Sequence, residues 1–444
     1  MFFCFGLVLS PDIYGMVAML MALGAFLVQA TDLGMSYLLV QESARESGLH
    51  HAMGGIVLLR LLLIVPMLGA YVLSAHLVGG TMSTWTGVVF GVYLLGTQVT
   101  QDIFSFLRGA RRTNTEGMVG SAFHVLEIAT VGGWYLWTRH DVVLLMEGLA
   151  LLRFAFLLLL LGLLVRWYRV RPTLRPAIVF LRSKRGSVVV LGLLGFALLA
   201  HSQIDVFLLR WFHGAAEVGR YWACYRVLMI LHMPTLILIN AVFPRVAAAL
   251  GDQDRMRQIC DGQHRLGTIW SLSVTAGCLL HAQAAVQVLL GPQFQDVTPL
   301  FSLLAVALGV ANLPPFGLLL AMEPRPTSLL TSGLVAVAFN TCLNLLLIPR
   351  LGPRGAAWAT LGSYLLLKVC FILLLRARQL PPFHLRSLFV TALSLGLWWG
   401  VSTWARLHTV ISLSLLGLVM ALLLGLNYRG AHAQIERCAD DRAS

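Results

Sequence analysis

The chain has 444 residues and a formal net charge of +13, yet only 11% of its residues are charged while 58% are hydrophobic. A mean hydropathy of +0.81 is more apolar surface than a water-soluble domain can bury, which excludes the soluble classes and indicates a polytopic membrane protein. The basic excess is not a nucleic-acid footprint, because no basic patch interleaves with aromatics on a polar domain.

A spanning helix needs about 20 apolar residues. In chain order the sequence predicts spans over 13–40, 52–75, 84–107, 115–137, 142–165, 187–210, 218–243, 265–289, 297–321, 328–348, 355–376, 386–405 and 409–427. Met1–Ser10 is apolar but too short to cross and lacks the basic lead of a signal peptide. It reads as the outer end of a further helix whose beginning is missing. The expected fold is therefore an all-α polytopic membrane protein: two six-helix lobes around a central cavity, plus two C-terminal helices. The first of these helices is truncated.

Most of the 32 basic residues fall in alternate loops and the C-terminus, so that side is cytoplasmic. The richest stretch, Arg166–Arg185 with Pro172 and Pro176, divides the chain near its middle. The turns SPDIYG (Ser10–Gly15) and GAAEVG (Gly214–Gly219) occupy equivalent places in the two halves, the pattern of a parallel repeat. The predicted organisation is residues 1–168 as the N-terminal lobe and 169–186 as a basic cytoplasmic linker. Residues 187–378 form the C-terminal lobe, and 379–444 the last two helices with a cytoplasmic tail. Trp398, Trp399 and Trp404 are expected as interfacial anchors.

Chemistry-bearing motifs are few. The seven cysteines form no CxxC pair, His50 and His51 offer no metal geometry, and there is no phosphate-binding loop for ATP. No metal or cofactor is expected. Ionisable groups inside apolar spans are costly and face a bundle interior or a wet cavity. Four bases are so placed: Arg60, Arg153, Arg226 and Lys368. Three have an acid at matching depth across a hairpin: Asp32 with Arg60, Glu127 with Arg153, and Asp205 with Arg226, each about 15–20 Å from its turn. Structural ion pairs and substrate or coupling groups would both look like this. Lys368 has no clear acid on its neighbouring helices, leaving a cavity cation or an interfacial lysine. Asn340 and Asn344, with Gln98, Gln203 and Asn240, are available for sugar contacts or for hydrogen bonds between helices.

The segments LSPDIYG (Leu9–Gly15), DLGMSYLLVQESAR (Asp32–Arg45), LRGARR (Leu107–Arg112), His201–Pro244 and FNTCLNLLLIPRLGPRGAAWATLGSY (Phe339–Tyr364) carry a resemblance. The chain resembles the Wzx-type polysaccharide flippases of the multidrug/oligosaccharidyl-lipid/polysaccharide exporter superfamily. That resemblance implies outward translocation of an undecaprenyl-diphosphate-linked oligosaccharide across the bacterial cytoplasmic membrane by alternating access. It implies no enzymatic step. The C-terminus would be cytoplasmic, and membrane lipids, a polymerase and other polysaccharide assembly proteins are the implied partners. Arg60, Arg153, Arg226 and Lys368 would then meet the diphosphate, with Asn340 and Asn344 contacting sugar; arginine suits a diphosphate through its two-pronged donors. Two alternatives remain at this stage: a cation-coupled small-molecule exporter of the same superfamily, and a membrane glycosyltransferase. The latter fits poorly with outer loops of about a dozen residues or fewer.

Overall fold

A computed structural model of the chain describes residues 10–32, 35–36, 39, 50–79, 84–109, 113–137, 142–168, 173–248, 252–314, 327–377, 385–405 and 408–440. The helix expected at Met1–Ser10 lies outside the described residues, apart from Ser10. The described residues are almost wholly helical. The helices are α1 (Pro11–Asp32), α2 (His50–Gly79), α3 (Thr84–Gly109), α4 (Thr113–Trp137), α5 (Val142–Tyr168), α6 (Leu174–Ser183), α7 (Arg185–His213) and α8 (Ala215–Ala248). They continue as α9 (Gln253–Leu280), α10 (Ala282–Leu289), a 3-10 turn (Pro292–Val297), α11 (Thr298–Asn312), α12 (Thr327–Leu351), α13 (Pro353–Ala377), α14 (Leu385–Trp404) and α15 (Thr409–Asp440). Nine helices among the described residues are long and apolar enough to cross a membrane, or ten with α9 and α10 taken as one bent span.

The chain forms two compact units, Met1–Phe207 and Leu208–Ser444, with the division inside α7. In the first unit, α2 and α3 pack on α1 and on each other, and α5 packs on α3. Their interior holds Met53, Ile56, Val99, Ile103, Phe106, Phe123, Phe156 and Leu160. Apolar burial gains little inside lipid, so close backbone approach carries more of the packing. Gly55 is such a point: a Cβ there would come within 2.1 Å of the Thr173 carbonyl oxygen. Thr173 precedes α6, a ten-residue helix within the basic stretch; it buries Ala177 against α2 while Arg175 and Arg182 stay exposed.

In the second unit two turns fall where the sequence places them. Gly214, at φ 91°, reverses the chain between α7 and α8. Gly352, at φ 56°, does the same between α12 and α13. Both values suit glycine, because a Cβ disfavours positive φ. His213, ending α7, hydrogen-bonds the Ile348 carbonyl at 2.7 Å, and Arg220 pairs with Glu217 and, at 3.1 Å, with Asp296.

Three expectations change. The span predicted over 265–289 is broken, since α9 and α10 meet at 85° around His281. His281 contacts the Ser412 hydroxyl of α15 at 2.9 Å, which reaches Ser402 of α14 at 2.9 Å. Trp398 is not an interfacial anchor: it is buried, and its indole N–H donates to the Ser412 carbonyl at 2.8 Å. Finally α11 stops at Asn312 instead of running on to 321, because Pro314 disfavours helical geometry at Leu313, whose φ and ψ are −72° and 147°.

The α12–α13 hairpin is closed so tightly that a Cβ on Gly355 would lie 2.4 Å from the Leu347 carbonyl oxygen. Gly355→Val is therefore expected to lower the melting temperature of purified protein by several degrees, corresponding to roughly 1–3 kcal/mol. Gly396→Ala, with open space around it, is the control and should melt within about a degree of wild type. Equal melting of both variants would refute this packing.

Candidate functional site

Two charged clusters hold the first unit together. In the first, Arg60 of α2 reaches Asp102 Oδ2 through Nε at 2.7 Å and Asp32 Oδ1 through Nη2 at 3.2 Å. Its Nη1 donates to the Thr31 carbonyl, and Nη2 lies 3.3 Å from that of Asp32. The Gln98 amide donates to Asp32 Oδ1 at 2.8 Å, as does the Ser36 hydroxyl at 2.8 Å. Asp102 is fully buried and Arg60 is 5% exposed. The Asp32–Arg60 pairing follows from matched depth, and Arg60–Asp102 obeys the same rule, both residues lying 21 positions from residue 81 between α2 and α3. Gln98 and Asp102, four residues apart, share one helix face.

The second cluster joins α3, α4 and α5. Arg153 Nη2 donates to Glu127 Oε1 at 2.7 Å, and the Tyr93 hydroxyl lies 3.3 Å from the same oxygen. The Arg153 guanidinium sits 4.1 Å from the Phe123 ring centroid and 5.2 Å from that of Tyr93, a cation–π arrangement. Gly96 makes room for the stem: a Cβ there would be 3.0 Å from Arg153 Cγ. The remaining Glu127 oxygen, Oε2, faces His124 Nδ1 at 2.9 Å.

Asp205 of α7 is buried, and its Oδ1 accepts the Val206 N–H at 2.8 Å. In the second unit, the Arg226 guanidinium lies 4.2 Å over the Trp222 ring on the same helix. Lys368 of α13 donates from Nζ to the Leu313 carbonyl, at the broken end of α11. A cation there complements the negative end of the helix dipole. Asn340 and Asn344 of α12 are buried; Asn340 donates to the Ser363 hydroxyl of α13 at 3.2 Å, and Asn344 to Asn340 Oδ1 at 2.9 Å. Tyr221 of α8 closes this polar seam, 3.3 Å from the Thr360 hydroxyl.

This architecture is that of a polytopic α-helical membrane protein. A family described as polysaccharide biosynthesis protein matches residues 142–299, about a third of the chain. Among solved structures the chain is similar to the lipid II flippase MurJ in its inward closed conformation, with a TM-score of 0.70 and 13% identity over 96% of this chain and 95% of that one. It is also similar to an inward-facing multidrug resistance MATE family transporter of the MOP superfamily, with a TM-score of 0.63 and 18% identity over 84% and 91%. The MATE multidrug transporter DinF-BH in complex with R6G gives 0.59 and 17% over 83% and 88%. No curated protein sequence matches. At these identities the likeness establishes the fold, which this chain shares with the flippase and the MATE transporters.

Removing the base from the first cluster would strand two buried carboxylates. Arg60→Leu is expected to reduce folded protein in the membrane several-fold, by a penalty of about 3–5 kcal/mol. The triple variant Arg60→Leu, Asp32→Asn, Asp102→Asn should recover most of that loss, because no net charge is left. Melting in detergent checks both, and an Arg60→Leu variant as stable as wild type would contradict the pairing.

Proposed function

We propose that this protein moves undecaprenyl-diphosphate-linked oligosaccharide units from the cytoplasmic to the outer leaflet of a bacterial cytoplasmic membrane, for polysaccharide or O-antigen assembly. The observation that carries the reading is the polysaccharide-biosynthesis match over the stretch holding Arg153, Asp205 and Arg226, within a flippase-like fold along nearly the whole chain. The physical requirement is plain: each bare polar group of a sugar diphosphate costs kilocalories in hydrocarbon, so it needs a wet, cationic path while its lipid tail stays in the bilayer. Arg226 is the arginine assigned here to diphosphate contact in the second unit, its planar face supported by Trp222. Arg60 and Arg153 are engaged by carboxylates and reach a phosphate by exchanging partners. Lys368 sets the end of α11, and Asn340 and Asn344 stand behind the path as its polar support. Transport proceeds by alternating access without a chemical step, and the C-terminal tail stays cytoplasmic. The MATE likeness supports a small-molecule exporter less well, since it covers less of the chain.

Two outcomes test this. The protein should restore polysaccharide export in a flippase-null strain, and loss of rescue on Arg226→Gln at normal abundance is expected. A dianion moving outward without compensating charge is favoured by roughly 2 × 2.3 kcal/mol per 100 mV of inside-negative potential. Transport in vesicles should therefore slow when the potential is collapsed at constant pH. A rate that ignores the potential would overturn uncompensated movement.

A further inference from the structure

Helix α6 lies against the first turns of α2 and has two faces of different character. Ala177 is buried, and Phe180 and Leu181 pack with it into the core of the first unit. The opposite face carries Arg175, Ile178, Val179 and Arg182, all exposed, Ile178 by 42% and Val179 by 61%. At about 3.6 residues per turn these four fall within an arc of about 100°, the arginines in its middle and one aliphatic on each flank. The neighbouring helix ends continue the surface: Arg185 opens α7 exposed, and Arg166 and Trp167 are exposed near the end of α5.

Packing within the chain does not explain this face. The ion pairs of the first unit that involve arginine belong to Arg60, Arg108 and Arg153. Among the described residues no acid pairs with Arg175, Arg182 or Arg185. Water does not explain it either, because a helix face turned to water carries polar groups, not two branched aliphatics flanking its charges. Guanidinium and aliphatic groups interleaved on one face suit the boundary of a bilayer, where phosphates meet the upper acyl carbons. Trp167 belongs at the same level, since indoles favour that boundary. The distribution of basic residues predicts the cytoplasmic side for α6, where anionic lipid gives the membrane a negative surface.

We propose that this face of α6 is a binding surface for anionic phospholipid, with Arg175 and Arg182 on phosphate oxygens and Ile178 and Val179 among the acyl chains. The surface is held in place by its other side. A Cβ on Gly55 would come within 2.1 Å of the Thr173 carbonyl oxygen and 2.8 Å of the Ala177 Cβ, so α6 sits directly on α2 and its arginines keep one height. Each arginine beside such a surface favours acidic lipid by about fivefold, and by less in high salt. This surface is independent of what the chain transports.

The test uses the full chain in nanodiscs of equal phosphatidylglycerol and phosphatidylcholine, with photoreactive p-benzoylphenylalanine in place of Val179. After irradiation, mass spectrometry identifies what the side chain has captured. Phosphatidylglycerol adducts should exceed phosphatidylcholine adducts by at least about fivefold. The ratio should fall to about one when Arg175→Gln and Arg182→Gln are added, and should drop toward one in about 1 M salt. A second measurement leaves Val179 in place: native mass spectrometry should find more phosphatidylglycerol retained by wild type than by the double glutamine variant. Equal capture of the two lipids by the arginine-bearing protein, or equal retention by wild type and the double variant, would overturn the role of the arginines. Capture of protein, or of no lipid at all, would overturn the lipid contact itself.

Discussion

A charge placed inside a membrane-spanning helix has to be neutralised where it stands, and much of the described structure answers that constraint. Arg60 is matched by carboxylates from two further helices, and Arg153 by one carboxylate and two aromatic faces. Each solution draws three helices to one point. Since lipid supplies no hydrophobic drive between helices, such points fix which helices are neighbours and at what height. The same groups are the ones a phosphate-bearing substrate could recruit. Under the proposed function stability and transport compete for one set of side chains, and any motion that frees a guanidinium needs a new anion ready to receive it.

In the second unit a seam of neutral groups stands beside the Arg220–Glu217–Asp296 ion pairs. Asn340, Asn344, Ser363, Thr360 and Tyr221 form a hydrogen-bonded seam, and Lys368 is spent on a backbone carbonyl. Neutral bonds are weaker individually, but they break without leaving an uncompensated charge. The neutral seam and the charged clusters thus differ in what it costs to rearrange them.

Much of this was legible in the residues. Hydropathy located the long helices to within a few residues at most ends, and Gly214 and Gly352 marked their turns. Depth counting from the loops paired Asp32 with Arg60 and Glu127 with Arg153, because an antiparallel hairpin puts equal distances from its turn side by side. Arg60 and Asp102 obey the same rule across the following turn, each 21 residues from position 81, but Asp32 already accounted for that one base. Depth counting is blind to a helix that bends or stops: the 265–289 stretch is mostly apolar with no proline to mark a break, and only tertiary contacts to α14 and α15 reveal His281 as a corner.

That corner has a consequence for the order of biosynthesis. The contact between His281 and Ser412 closes over 131 residues of sequence, so α9 and α10 enter the membrane well before the hydroxyl and indole that complete their surroundings exist. Until α14 and α15 are inserted, the imidazole at the bend has to be served by water or headgroups, and the bend lacks its lateral support. The second unit is thus finished from its tail backwards, and a chain interrupted after α13 would carry every helix of the predicted lobe with its sharpest corner still unset.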